Sequence, residues 1–219
     1  MIGSAGTARS RSVSEPATWR TLFVALACVL AATLCACGQE RAKFTGTDVS
    51  GASFGRDFDL IDQNGTRRTL ADFRGKVVVL FFGYTHCPDV CPTTMAQLAQ
   101  ATHELGDDAK RVQVLFVTVD PQRDTQELLS RYVPAFDPSF LGLRGDAQAT
   151  DRVTREFKIL VQKNSGSSPD NYTVDHSAGT YIFDPQGRLR VYVSYGQGPE
   201  VFVHDIRALL RDSSGATAG

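Results

Sequence analysis

Val77-Val-Val-Leu-Phe-Phe-Gly-Tyr-Thr-His-Cys-Pro-Asp-Val-Cys-Pro-Thr93 runs from an unbroken apolar segment into two cysteines, Cys87 and Cys91, each followed directly by a proline. Six consecutive apolar residues, Val77 to Phe82, three of them β-branched, fit a central strand buried on both faces. A helical pattern follows over Thr93 to Leu105, with Met95, Leu98, Ala99, Thr102 and Leu105 along one stripe. Pro92 lacks an N–H and is comfortable only in a first helical turn, so residues 87–91 read as an irregular turn with the regular helix beginning near Pro92. Loops at the end of a buried strand are where α/β sheets expose ligand sites. The unpaired N–H groups of the following helix favour thiolate over thiol. The spacing keeps the two cysteines within disulfide reach, yet leaves slack for both sulfurs to face one metal ion.

Working outward, Phe58 to Asp62, the Asn64-Gly65 turn and Thr66 to Leu70 read as a β-hairpin, because Asn-Gly supplies the positive φ angles of a tight turn. Val112 to Val119 is a second buried strand. Asp124 to Val133 is a short helix with Asp124 as its N-cap and Glu127 three residues on. Asp146 to Phe157 is another helix, and the polar stretch Lys163 to Asn171 reads as an exposed loop. Thr180 to Phe183 and Arg188 to Ser194 are strands joined by the turn Asp184 to Gly187, and Glu200 to Leu210 is the last helix. This order is that of an α/β, thioredoxin-like sandwich with an N-terminal β-hairpin extension, and the dithiol lies at the end of its first central strand.

The composition, with 42% hydrophobic and 21% charged residues, allows a packed core, and a formal net charge of −1 argues against nucleic acid as a partner. The first residues are not fold. Arg9, Arg11 and Arg20 precede the apolar run Thr21 to Leu34, the pattern of a secretory leader. The run ends in Leu34-Cys-Ala-Cys37, which resembles the lipobox of bacterial lipoproteins and would make Cys37 the lipidated first residue of the mature protein. An uncleaved signal anchor is the alternative; either leaves the domain outside the cytoplasm. The expected organisation is a signal peptide over 1–36, a flexible tether over 37–52, the domain over 53–212 and a disordered tail over 213–219. With Cys28, Cys35 and Cys37 assigned to the leader and anchor, only Cys87 and Cys91 remain. A bridge over so short a loop stabilises little, which favours chemistry over a structural disulfide.

His176, in Val174-Asp-His-Ser-Ala-Gly179, lies just before the strand at Thr180. In a thioredoxin-like fold that segment passes beside the dithiol and usually carries a cis-proline; no proline is near it here. The inferred fold therefore brings His176 to Cys87 and Cys91. Two thiolates and an imidazole suit copper in either oxidation state and would also hold zinc. His86 reads as solvent-facing, and His103 and His204 as surface positions on helices. Asp89, Asp120 and Asp124 are candidates to stand behind the site and tune it, although a helix cap accounts for Asp124 as well.

Phe81 to Thr93, then Val119-Asp-Pro-Gln-Arg-Asp-Thr125, then Asp175-His-Ser177 resemble the three motifs of the Sco/SenC family in order and spacing, over about residues 53–212. The resemblance implies a thioredoxin fold, one copper ion held as Cu(I) or Cu(II) by Cys87, Cys91 and His176, and a Cys87–Cys91 disulfide in the oxidised form. It implies a role in assembling the binuclear copper centre of cytochrome c oxidase, by copper delivery, by thiol–disulfide reduction, or both. The expected partners are the copper-bearing oxidase subunit or another envelope copper chaperone, with the membrane reached through the lipid. This is not the profile of a conventional enzyme. The alternatives are a general envelope thiol–disulfide oxidoreductase or a copper or redox sensor. A peroxidase fits poorly, since Tyr84 and Leu80 stand where peroxiredoxins place Thr or Ser and Pro.

Overall fold

The structure is a computed structural model, and it describes residues 42–168 and 171–215. The leader, the lipidation candidate Cys37 and the end of the tail beyond 215 lie outside the described residues. Strands β1 (Thr47–Asp48), β2 (Asp59–Asp62), β3 (Arg67–Thr69), β4 (Val77–Gly83), β5 (Val112–Thr118), β6 (Leu141–Arg144), β9 (Thr180–Phe183) and β10 (Leu189–Val193) make one sheet, in the order β1-β10-β9-β4-β5-β6-β2-β3. β7 (Val161–Ser168) and β8 (Asn171–His176) pair separately as a two-stranded ribbon. The helices are α1 (Val90–Leu105), α2 (Gln126–Tyr132), α3 (Ala147–Glu156) and α4 (Pro199–Gly215).

β4 and β5 run parallel at the centre, every residue of both is buried, and α1 crosses between them. α1 turns Cys91, Met95, Leu98 and Leu105 inward, and α4 packs beside it through residues such as Phe202, Ile206 and Leu209. Phe157, fully buried, gathers Phe82, Tyr181 and Phe183 within 5.2–6.1 Å between ring centroids. The predicted N-terminal hairpin forms as β2–β3, with Gly65 at φ 82° in its turn. It is not an appendage, because β2 also pairs with β6.

Several expectations need correction. α1 begins at Val90 rather than near Pro92, placing Cys91 in its first turn and Pro92 third, where no intrahelical N–H is missed. The α2 N-cap is Thr125, whose hydroxyl accepts the Leu128 N–H at 3.2 Å; Asp124 turns inward instead. β6 was not anticipated, because four residues around a glycine carry little pattern. Within the polar stretch 163–171, residues 163–168 and Asn171 belong to the ribbon β7–β8 and not to an open loop, and residues 169–170 lie outside the described residues. α4 continues through Ser213 to Gly215 in what reads as a disordered tail.

The described part of the tether, residues 42–52, is attached to the domain. β1 pairs with β10, and the buried Asp205 carboxylate of α4 accepts the Thr45 and Gly46 N–H groups at 2.7 and 2.8 Å. The polar composition that suggested a free tether serves an edge strand equally well. No helix among the described residues is long and apolar enough to cross a membrane.

Candidate metal and dithiol site

Gly83 ends β4 directly against the sulfur of Cys91. A Cβ at this position would stand 3.1 Å from Cys91 Sγ and 2.8 Å from the Phe116 ring, so glycine keeps the slot open. Cys91 is fully buried and Cys87 partly exposed; both thiols are free. The Cys91 N–H donates to Cys87 Sγ at 3.4 Å.

His176, at the end of β8, brings Nε2 to 3.6 Å from Cys91 Sγ. Its Nδ1 lies 3.0 Å from the Ser177 carbonyl. A carbonyl can only accept, so the ring proton sits on Nδ1 and the Nε2 lone pair faces the sulfur. A metal-ligating histidine commonly uses its other ring N–H in this way. Burial pushes the Cys91 thiol well above its ordinary range, although the Tyr84 N–H that bonds to the sulfur pulls the other way. Burial also lowers the His176 imidazole, against opposing effects of the Ser177 carbonyl and Asp175. The pair therefore rests as a neutral thiol and a neutral imidazole.

The donor set passes a simple test of fit. Cys91 Sγ and the unprotonated His176 Nε2 face each other across 3.6 Å, a soft sulfur and an imidazole nitrogen that would hold a thiophilic metal between them. Cys87 Sγ is turned to the Cys91 N–H, and among the described residues no three His, Cys, Asp or Glu side chains form a closed cage.

The three acids lie as follows. Asp89 is exposed and takes the Thr93 hydroxyl at 3.3 Å. Asp124 is fully buried; its carboxylate accepts the Thr85 and Thr118 hydroxyls at 2.6 Å each, and the Thr85 N–H at 3.1 Å. Burial raises its carboxyl in spite of those bonds. Asp124 thus fixes the turn two residues before Cys87. Asp120, also buried, pairs with Arg123 at 2.5 Å and accepts the Tyr172 hydroxyl at 2.7 Å. Burial, followed by the hydrogen bond to Asp120, pushes the Tyr172 phenol up to about 12.

His86 is half exposed, with Nδ1 3.1 Å from the Thr85 hydroxyl and 3.8 Å from Asp124, while His103 and His204 lie on helices away from the dithiol strand. Thr85, Thr118, Tyr84, Arg123 and Tyr172 were not singled out from the sequence. One signal was available: Tyr172, Val174 and His176 alternate, so they share one face of a strand.

A thioredoxin-like α/β domain with a free dithiol at the end of its central strand, and a histidine aimed at the buried sulfur, defines a class of redox and metal-handling proteins. The SCO1/SenC family profile matches residues 46–211, and the chain belongs to that family. It is 39% identical over 153 residues to the mitochondrial SCO2 homolog of Bos taurus, covering 69% of this chain and 58% of that relative's length. The chain therefore spans less than two thirds of that relative. Apo Sco1 of Thermus thermophilus is 41% identical, with a TM-score of 0.68 over 78% of this chain and 99% of that one. ScoI of Bradyrhizobium japonicum, solved with copper bound, is 36% identical, with a TM-score of 0.67 over 72% of this chain and 99% of that one.

Proposed function

We propose that this protein binds one copper ion through Cys87, Cys91 and His176 and serves assembly of the binuclear copper centre of cytochrome c oxidase. The observation that carries this reading is the Nε2 lone pair of His176 directed at Cys91 Sγ, 3.6 Å away. A dithiol used only for disulfide exchange has no need of it. Two soft sulfurs suit Cu(I), and an imidazole nitrogen extends the set to Cu(II). Copper is here the cargo, and the partner is the copper-bearing oxidase subunit or another envelope copper chaperone. The copper-bound relative supports the choice of metal.

The same dithiol supports a second activity. Cys87, partly exposed, attacks a partner disulfide as thiolate; one partner sulfur leaves as thiolate and a mixed disulfide forms. Cys91 then passes its proton to the partner thiolate released in the first step and attacks Cys87 Sγ, which releases the second partner sulfur and leaves a Cys87–Cys91 disulfide. Two electrons pass to the partner. Reduction of the oxidase cysteines and copper delivery are thus alternative uses of one site, since the disulfide left by the first holds no copper until an external thiol reductant returns two electrons and restores the dithiol. The basic and apolar leader over 1–36 and the Leu34-Cys-Ala-Cys37 motif support a domain held outside the cytoplasm by lipid on Cys37.

The test is an anaerobic copper titration of the reduced full chain, with Cys28, Cys35 and Cys37 replaced by serine. One copper per chain is expected, and His176→Ala should lose about tenfold or more in affinity, as for removal of a metal ligand or its support. Unchanged affinity in the variant would refute the three-ligand site and leave a thiol–disulfide oxidoreductase.

A further inference from the structure

The ribbon that delivers His176 lies outside the main sheet, so sheet register does not hold it in place. β7 and β8 pair with each other alone among the described strands, and a two-stranded ribbon is marginal by itself. It is attached at two places: the Val174 N–H donates to the Tyr84 hydroxyl at 3.3 Å with the Val174 side chain buried, and Tyr172 meets the loop after β5. The Tyr172 hydroxyl donates to Asp120 at 2.7 Å, and Arg123 Nη1 donates to the Tyr172 carbonyl at 2.9 Å. The Arg123 guanidinium also lies 3.5 Å from the centroid of the Tyr172 ring. Arg123 is in turn fixed by its Nε bond to Asp120 and stands 5.7 Å from the Tyr84 ring. Lys163 of β7 adds a contact from the rim, with Nζ 4.8 Å from the Tyr172 ring and bonded to Gln122 at 2.8 Å. One phenol thus engages a buried carboxylate, a guanidinium and an ammonium. Tyr172 shares the inward face of β8 with His176, four residues on, so its placement sets where the imidazole arrives.

We propose that Tyr172, locked between Asp120 and Arg123, is the positioning residue for His176, holding the ribbon so that the imidazole meets the dithiol. Tyr172 acts through His176 and supplies no ligand. The argument rests on the copper reading, and the experiment separates the two. Tyr172→Leu and Tyr172→Phe are made in the reduced full chain, alone and combined with His176→Ala, and titrated with copper. Tyr172→Leu should lower Cu(II) affinity about 10–100-fold, the range for loss of a residue that orients a metal ligand. It should also weaken the imidazole nitrogen coupling in the electron paramagnetic resonance spectrum. Tyr172→Phe, which keeps the ring over Arg123, should fall between wild type and Tyr172→Leu. In the His176→Ala background, Tyr172→Leu should change affinity no further.

In metal-free protein, amide exchange over 171–176 should accelerate in Tyr172→Leu while that of α4 stays unchanged. Unaltered affinity and nitrogen coupling, or an equal loss in the His176→Ala background, would overturn the proposal. If Tyr172→Leu does not fold, Tyr172→Phe decides by the same two readouts. Failure of the wild type to bind copper would count against the copper reading instead; metal-free exchange then decides, and unchanged rates would refute the clasp.

Discussion

At the scale of single residues, burial acts in opposite senses on the two groups that meet at the site. It disfavours whichever form is charged, so it holds the proton on Cys91 and keeps it off His176. Neither group then carries an unpaired charge in the interior. A metal ion entering here must displace the Cys91 proton, whereas the imidazole is already in its ligating form. Copper binding near pH 7 should therefore release about one proton or more per ion, as for other thiolate sites. Titration calorimetry in two buffers of different ionisation enthalpy measures this directly. The sign follows: affinity rises with pH through loss of the thiol proton. Competition from His176 enters only below the ordinary imidazole value of about 6.5. Release of no protons would mean that Cys91 does not ligate.

Among the elements, the β2–β3 hairpin rests on one carboxylate. Asp62, fully buried, accepts the Asn64 and Thr66 N–H groups at 2.9 Å each and Arg68 Nε at 2.8 Å. Burial alone would raise its pKa, but these donors together hold the carboxyl below the usual range. Asp62→Ala should cost about 1–3 kcal/mol at neutral pH, the cost of leaving buried donors unmet. Because the folded pKa is depressed, that stability is complete above the unfolded value of about 3.9 and is lost as pH falls through the folded one. Urea unfolding at neutral and acid pH should show the gap between wild type and variant closing in acid.

This hairpin was legible because Asn64-Gly65 and its flanking runs follow simple turn chemistry. β4, β5 and α1 were legible because burial on both faces, or along one stripe, leaves a plain apolar pattern. The ribbon β7–β8 was not, since its residues are mostly exposed and its one inward row, Tyr172, Val174 and His176, mixes polar with apolar. Asp124 misled for a different reason. It and Thr125 both suit an N-cap, and only the buried hydroxyls of Thr85 and Thr118 decide which turns inward. Cys87, Cys91 and His176 were readable as types at positions, but the Ser177 carbonyl that orients the ring is backbone and leaves no mark in the sequence.

On the scale of the whole molecule, the core and the site share a boundary at β4. Phe81 and Phe82 alternate along that strand: Phe81 lies 6.4 Å from the His176 ring, and Phe82 lies 5.2 Å from Phe157. Truncating Phe157 should thus test the core with little direct effect on the ligands. Phe157→Ala should destabilise the domain by about 3–5 kcal/mol, as for other fully buried aromatics, measured by urea denaturation. Copper affinity of the fraction that stays folded should be preserved. An equal loss of affinity would mean that core and site are energetically one.

The berth of the N-terminal segment on Asp205 has a consequence for where the molecule works. Register carries Thr47 to Tyr192, Tyr192 to Tyr181, and Tyr181 to Leu80, with the residues before Thr47 on the side of Gly83, so the chain enters the sheet at the rim where β4 gives way to the dithiol. With lipid on Cys37 as proposed, the eight residues from there to Thr45 form a leash of at most about 28 Å. That leash would join the domain at the rim of the sheet beside the dithiol. A domain moored in this way would keep the rim that carries its dithiol within about that reach of the bilayer.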